Sequence, residues 1–176
     1  TFNSASGPLH SGNRGLFAGG YAGGEKQNII EYISIDSTGN ATDFGDLLEV
    51  QNRSGMAAGG GIGCQVGGLG NSGYLNRLQY VTIATTGNAT DQGNLSQGIQ
   101  RAMSASNGQR AVCGGGYQED NSLKDDMEYW DLTSNSNSST FGDLITGRNG
   151  GEAMGGATRI VFARGGDGNN NDINTM

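Results

Sequence analysis

The chain has 176 residues, among them 34 glycines and a single proline, with 34% hydrophobic and 15% charged residues and a formal charge of −7. That length suffices for one domain with a core. An acidic balance with singly scattered Lys and Arg argues against nucleic acid as a ligand, and no run approaches the ~18 apolar residues of a membrane helix.

The amino end lacks the basic and apolar regions of a signal peptide, so the chain reads as soluble with no membrane insertion. Its glycines separate short runs of Ile, Val, Leu, Phe and Tyr instead of forming monotonous tracts, which predicts order with many turns.

In chain order, the first apolar run is Leu16-Phe17-Ala18, closing on Gly19-Gly20. Residues 29–35 follow, rich in β-branched and aromatic side chains and carrying Tyr32; their apolar residues fall on both parities, which predicts a strand buried on both faces. Next come Thr38-Gly39-Asn40-Ala41-Thr42-Asp43, then Phe44-Gly45-Asp46-Leu47, Arg53 and a short run around Met56.

The hexapeptide returns unchanged 48 residues on, at Thr86 to Asp91, and in drifted form at Ser134 to Ser139. Paired glycines recur at Gly67-Gly68, Gly114-Gly115 and Gly165-Gly166, tyrosines at Tyr80 and Tyr129, arginines at Arg101 and Arg148, and Phe141-Gly142-Asp143-Leu144 repeats the outer run. A period of this size is the mark of a repeat architecture, and four short strands per unit leave no room for helix. Units of this length, covered on both faces by neighbours, predict an all-β fold, a β-propeller of four-stranded blades.

An arginine-led strand, an apolar strand ending in Gly-Gly and a tyrosine strand together resemble the kelch repeat over essentially the whole chain. That pattern implies a tryptophan in the last strand, where Phe44, Gln92 and Phe141 stand here. The wording of the units, Gly-Asn-Ala-Thr-Asp-Phe-Gly-Asp-Leu after a tyrosine strand, is similar to kelch-like repeats of bacteriophage virion and tail-fibre proteins. The resemblance implies a virion or extracellular location.

The blades are expected at about 1–48, 49–95 and 96–144, with a partial blade at 145–176. Closing a ring needs more blades, supplied by a longer chain of which this is a fragment or by a homo-oligomer.

Candidate chemistry is thin. His10 is the one histidine and has no partner set for a triad. Asp43, Asp46, Asp91 and Asp143 recur at equivalent places and read as turn residues. The glycine-rich stretches precede no helix, so they are not phosphate cradles. Asp167-Gly168-Asn169-Asn170-Asn171-Asp172 offers oxygens in the manner of a calcium loop but lacks its sixth-position glycine and closing glutamate, and reads as a polar loop. Cys64 and Cys113 read as buried free thiols. No cofactor or metal is expected.

Variation among the repeats points to recognition loops after each double glycine, with Tyr21, Glu25, Asn71, Tyr74, Tyr117, Glu119, Asp120, Asp167 and Asn169 as candidate partner-binding residues. The expected function is a non-enzymatic virion or surface-fibre structural protein. Its expected partners are other fibre proteins and a host-surface glycan or protein. Two alternatives stay open, a cellular kelch-type interaction domain and a glycan-active enzyme on the same scaffold.

Overall fold

The computed structural model describes residues 9–167. Those residues contain strands and turns and no helix, in agreement with the all-β expectation. Strands β1 (Leu9–Ser11), β2 (Arg14–Ala22), β3 (Glu25–Ser34) and β4 (Thr42–Asn52) form an antiparallel meander. A second is made by β5 (Gly55–Gly59), β6 (Ile62–Gly70), β7 (Gly73–Thr82) and β8 (Thr90–Asn94), and a third by β9 (Met103–Ser106), β10 (Arg110–Gly114), β11 (Asp126–Asp131) and β12 (Ser139–Asp143). The hairpin β13 (Glu152–Gly155) and β14 (Ile160–Ala163) follows. The first strands of the units neighbour one another in sequence order, β1 beside β5, β5 beside β9 and β9 beside β13.

The core lies between units. Leu16, Ala18, Ile30, Phe44 and Leu47 of the first meander share one buried cluster with Met56, Val81, Ile83 and Ala89 of the second. The equivalent residues of the second, Cys64, Val66, Leu78 and Leu95, meet Ala111, Cys113, Trp130 and Leu132 of the third. Each meander is therefore a slab with two apolar faces, the first two also joined at one end where β4 pairs with β6, and burial comes from stacking. Residues 29–35 depart from the expectation of burial on both faces. Ile30 is buried, but Ile29 and Ile35 are 46% and 56% exposed, because no described unit covers that side of the first meander. In the second meander the corresponding strand is buried on both sides, at Leu78, Gln79, Val81 and Ile83.

Backbone geometry also shifts the register of the landmarks. The left-handed pairs are Gly19-Gly20, Gly67-Gly68, Gly115-Gly116 and Arg164-Gly165, so the third and fourth pairs sit one residue away from the sequence assignment. The second glycine of a pair turns its amide toward the next linker, Gly68 donating to Ile99 O (2.8 Å) and Gly116 to Arg148 O (2.7 Å). Similarly, Arg53 and Arg101 have positive φ, and Gly150 holds the matching place in the third linker; Arg148 lies two residues earlier. The amides of Arg101 and Gly150 donate to Arg53 O and Arg101 O, at 2.7 and 3.1 Å, which strings the linkers together.

The unchanged hexapeptide is a clasp between units. Gly87 and Ala89 donate their amides to Phe44 O and Asp46 O, both at 2.8 Å, while Asn88 Oδ1 accepts from the Asp46 amide at 3.0 Å. The drifted copy does the same one unit on: Asn137 Oδ1 accepts from the Asn94 amide and the Ser138 amide donates to Asn94 O, each at 3.0 Å. The outer strand must be glycine where the clasp passes. A Cβ on Gly45 would lie 2.5 Å from Gly87 O, and one on Gly93 2.4 Å from Ser136 O.

Gln92 replaces aromatic packing with hydrogen bonds. Phe44 and Phe141 meet Tyr32 and Tyr129 edge to face at 6.1 Å. Buried Gln92 instead donates to Asp131 O, Leu132 O and Ser134 O and accepts from Cys64 Sγ (3.3 Å). Four buried polar side chains also link the first two units: Gln79 donates to Gln51 (3.0 Å), and Gln51 and Gln65 both donate to Ser54 Oγ (3.2 and 2.8 Å). Gln65 Oε1 has no partner among the described residues; the hydrogen bonds that the other amide groups make fix which faces meet.

Both cysteines are buried and unpaired. Burial pushes the Cys64 thiol up from 9.0 to about 12 and raises Cys113 as well, the latter with help from the nearby Glu128 carboxylate.

Two outcomes follow for stability. Gly93→Ala and Gly142→Ala both strain a positive φ, but the added methyl meets Ser136 O only at Gly93, while no described residue lies within 4 Å of a methyl at Gly142. Urea unfolding should therefore show Gly93→Ala the more damaging by about 2 kcal/mol. Above pH 9 the unfolded chain releases thiol protons that the fold retains, so stability is full below that pH and falls as pH rises toward 12. Each thiol adds a slope of up to about 1.4 kcal/mol per pH unit, and Cys64→Ala/Cys113→Ala should flatten the profile measured by denaturant titration.

Candidate functional site

In an antiparallel meander the connections alternate between the two ends of the sheet. The hexapeptide and its later copies occupy the β3–β4, β7–β8 and β11–β12 connections, so the β2–β3, β6–β7 and β10–β11 loops gather at the opposite end. There they form one row. Lys26 Nζ of the first loop donates to Gly70 O of the second at 3.0 Å, and Tyr74 of the second donates to Asn121 Oδ1 of the third at 3.0 Å.

The first loop turns through Gly23 and Gly24, both left-handed. Tyr21 is exposed at its edge, its hydroxyl donating to Gly24 O (2.5 Å), with exposed Glu25 beside it. The second loop is a tight turn with Asn71 at an exposed tip. The third is the longest: Asp120 accepts from the Ser122 amide (2.8 Å), and exposed Glu119 precedes it. Hydrogen bonds from Ser122 hold the Asp120 carboxyl below the usual carboxylate range, so it stays charged. Lys124 is buried and paired with Asp126, and its charge contributes a smaller part of the Asp120 shift.

Two candidate tyrosines are fastened down. Tyr117 is half-buried and its backbone bridges Gln100 and Leu123. It is the counterpart of Tyr21, Leu69 and Gly166; Leu69 and Gly166 pair in the same way with Asn52 and Asn149. Tyr74, also half-buried, accepts from Gln100 Nε2 (2.7 Å), and Gln100 Oε1 accepts from Arg53 (3.1 Å). A relay thus runs Arg53, Gln100, Tyr74, Asn121, joining a linker to two loops.

Sequence reasoning missed Gln100 and Asn121. Asn52, Gln100 and Asn149 hold equivalent linker positions, and that recurrence of an amide side chain was the available signal.

The structure brings Tyr21, Glu25, Asn71, Tyr74, Tyr117, Glu119 and Asp120 to one end of the molecule. Asp167 lies half-buried after the fourth left-handed pair, with a partner of its own. Asn169 and the rest of the calcium-like segment lie outside the described residues. Among the described residues no three His, Cys, Asp or Glu side chains converge to hold a metal. The loop end presents hydroxyls, amides, carboxylates and aromatic faces, groups that hydrogen-bond and stack on sugars or polar protein surfaces.

No protein-family model matches the chain, and no curated protein matches it significantly.

Tyr74→Phe removes the centre of the relay. Hydrogen exchange at residues 119–122 should quicken about fivefold, matching a lost hydrogen bond of ~1 kcal/mol, while residues 21–25 keep their rates.

Proposed function

We propose that this chain is part of a kelch-like β-propeller serving as a non-enzymatic structural module of a virion or surface fibre, with its loop end as an adhesive surface for a host glycan or protein. The observation that carries this reading is the division of labour between the two ends of the sheets. The second and third copies of the hexapeptide hold units together, whereas the loop sequences that differ from unit to unit stand side by side at the other end. A row of dissimilar loops on a repetitive scaffold is a common design for recognition. Support for the propeller comes from the succession of first strands, β1, β5, β9 and β13, which in a propeller line the axis. The acidic tips Glu25, Glu119 and Asp120 favour neutral or cationic partners over phosphorylated ones.

Glycan arrays and immobilised host-surface polysaccharide test the reading. Binding is expected, with Tyr21→Ala/Glu119→Ala weakening it at least tenfold at unchanged Tm. Binding indifferent to these loop substitutions, or turnover of the bound glycan, would overturn it.

A further inference from the structure

The third unit and the β13–β14 hairpin enclose an open apolar cleft of about 780 Å³, lined by Val112, Met127, Phe141, Leu144, Ile160 and Phe162. Its rim leaves Phe141 and Ile145 52% and 97% exposed. Val112, Met127 and Leu144 are the repeat counterparts of Cys64, Leu78 and Leu95, which in the preceding seam are sealed under Trp130 and Leu132. The cleft is thus the third copy of a seam whose first two copies are closed inside the chain.

Three separate halves of contacts stand open around it. First, β2, β6 and β10 each pair with a tyrosine-bearing strand, but among the described residues β14 pairs with β13 alone. Second, Arg14 and Arg110 lie over Tyr32 and Tyr129 at 4.7 and 4.6 Å, whereas Arg159, in the same position of β14, is exposed. Third, Gly45 and Gly93 are crossed by the clasp of the next unit, while Gly142, their counterpart with the same left-handed backbone, has nothing within 4 Å among the described residues.

From these we infer that the cleft takes an outer β-hairpin of the same repeat type: a tyrosine strand added to the edge of β14 that faces away from β13, a turn carrying asparagine that clasps Gly142, and a closing strand. One occupant completes all three. The strand supplies backbone partners for β14 and a ring for Arg159. Its opposite face covers Met127 and Leu144 as Trp130 and Leu132 cover Leu78 and Leu95. The turn places an asparagine oxygen at the Asp143 amide, as Asn88 does at Asp46.

The inference rests on the stacked-unit reading above but is independent of glycan binding, so either can fail alone. The probe is a peptide with the sequence of residues 126–144, which spans β11 and β12, joined to the carboxyl end of the full chain through a flexible linker. Tethering provides an effective concentration of roughly millimolar. Amides of Ile160–Ala163 should exchange at least tenfold more slowly in the fusion. Changing Tyr129→Ala or Asn137→Ala in the appended copy alone, which leaves the chain's own fold untouched, should each remove most of that protection. Unchanged exchange in β14 would overturn the proposal. So would concentration-dependent dimerisation of the unfused chain that Arg159→Ala or Phe141→Asp abolishes, since that result assigns the cleft to a second copy.

Discussion

A four-stranded sheet that is apolar on both faces cannot stand alone in water, and the seam between neighbouring sheets is what the remainder of this structure depends on. Each of the two closed seams has the same three layers. Linker backbones join through Arg53, Arg101 and Gly150, side chains from facing sheets fill the middle, and an asparagine clasp closes the outer edge. The middle layer supplies most of the favourable free energy. The polar layers at either side set register, since a slip by one residue would leave the Asp46 or Asn94 amide without its asparagine oxygen.

The seam also explains where freedom is left for function. Clasps hold one end of each unit, and linkers join its last strand to the first strand of the next unit, so neither can vary without opening a seam. The loops at the other end carry fewer such duties and differ in length and chemistry. They are not wholly free, since Tyr74 and Gln100 tie the second and third loops into one unit of structure. A partner would therefore meet a partly preformed surface, which lowers the ordering cost of binding.

Much of the fold was legible because the repeats act as controls for one another. The strands, the interval of about 48 residues and the buried thiols follow from patterns visible at Gly19-Gly20, Tyr32 and the hexapeptide. Three things were not legible. The register of the third and fourth glycine pairs depends on backbone dihedrals, and in Gly114-Gly115-Gly116 the sequence offers two equivalent choices. Exposure of Ile29 and Ile35 depends on the absence of a covering unit among the described residues, not on their own strand. The hexapeptide resembled an ordinary Asx turn, and its reach into the neighbouring unit is a tertiary fact. Of the loop residues, the sequence marked which positions vary; it could not show that Tyr74 and Tyr117 are held from behind by Gln100.

The claim that asparagine clasps lock successive units is tested most directly by site-resolved hydrogen exchange of the Asp46 and Asn94 amides. Asn88→Ala should release the Asp46 amide by at least tenfold and leave the Asn94 amide, held by Asn137, at its original rate. An Asp46 amide that stays protected in that variant, or that exchanges freely in the unaltered protein, would contradict the account.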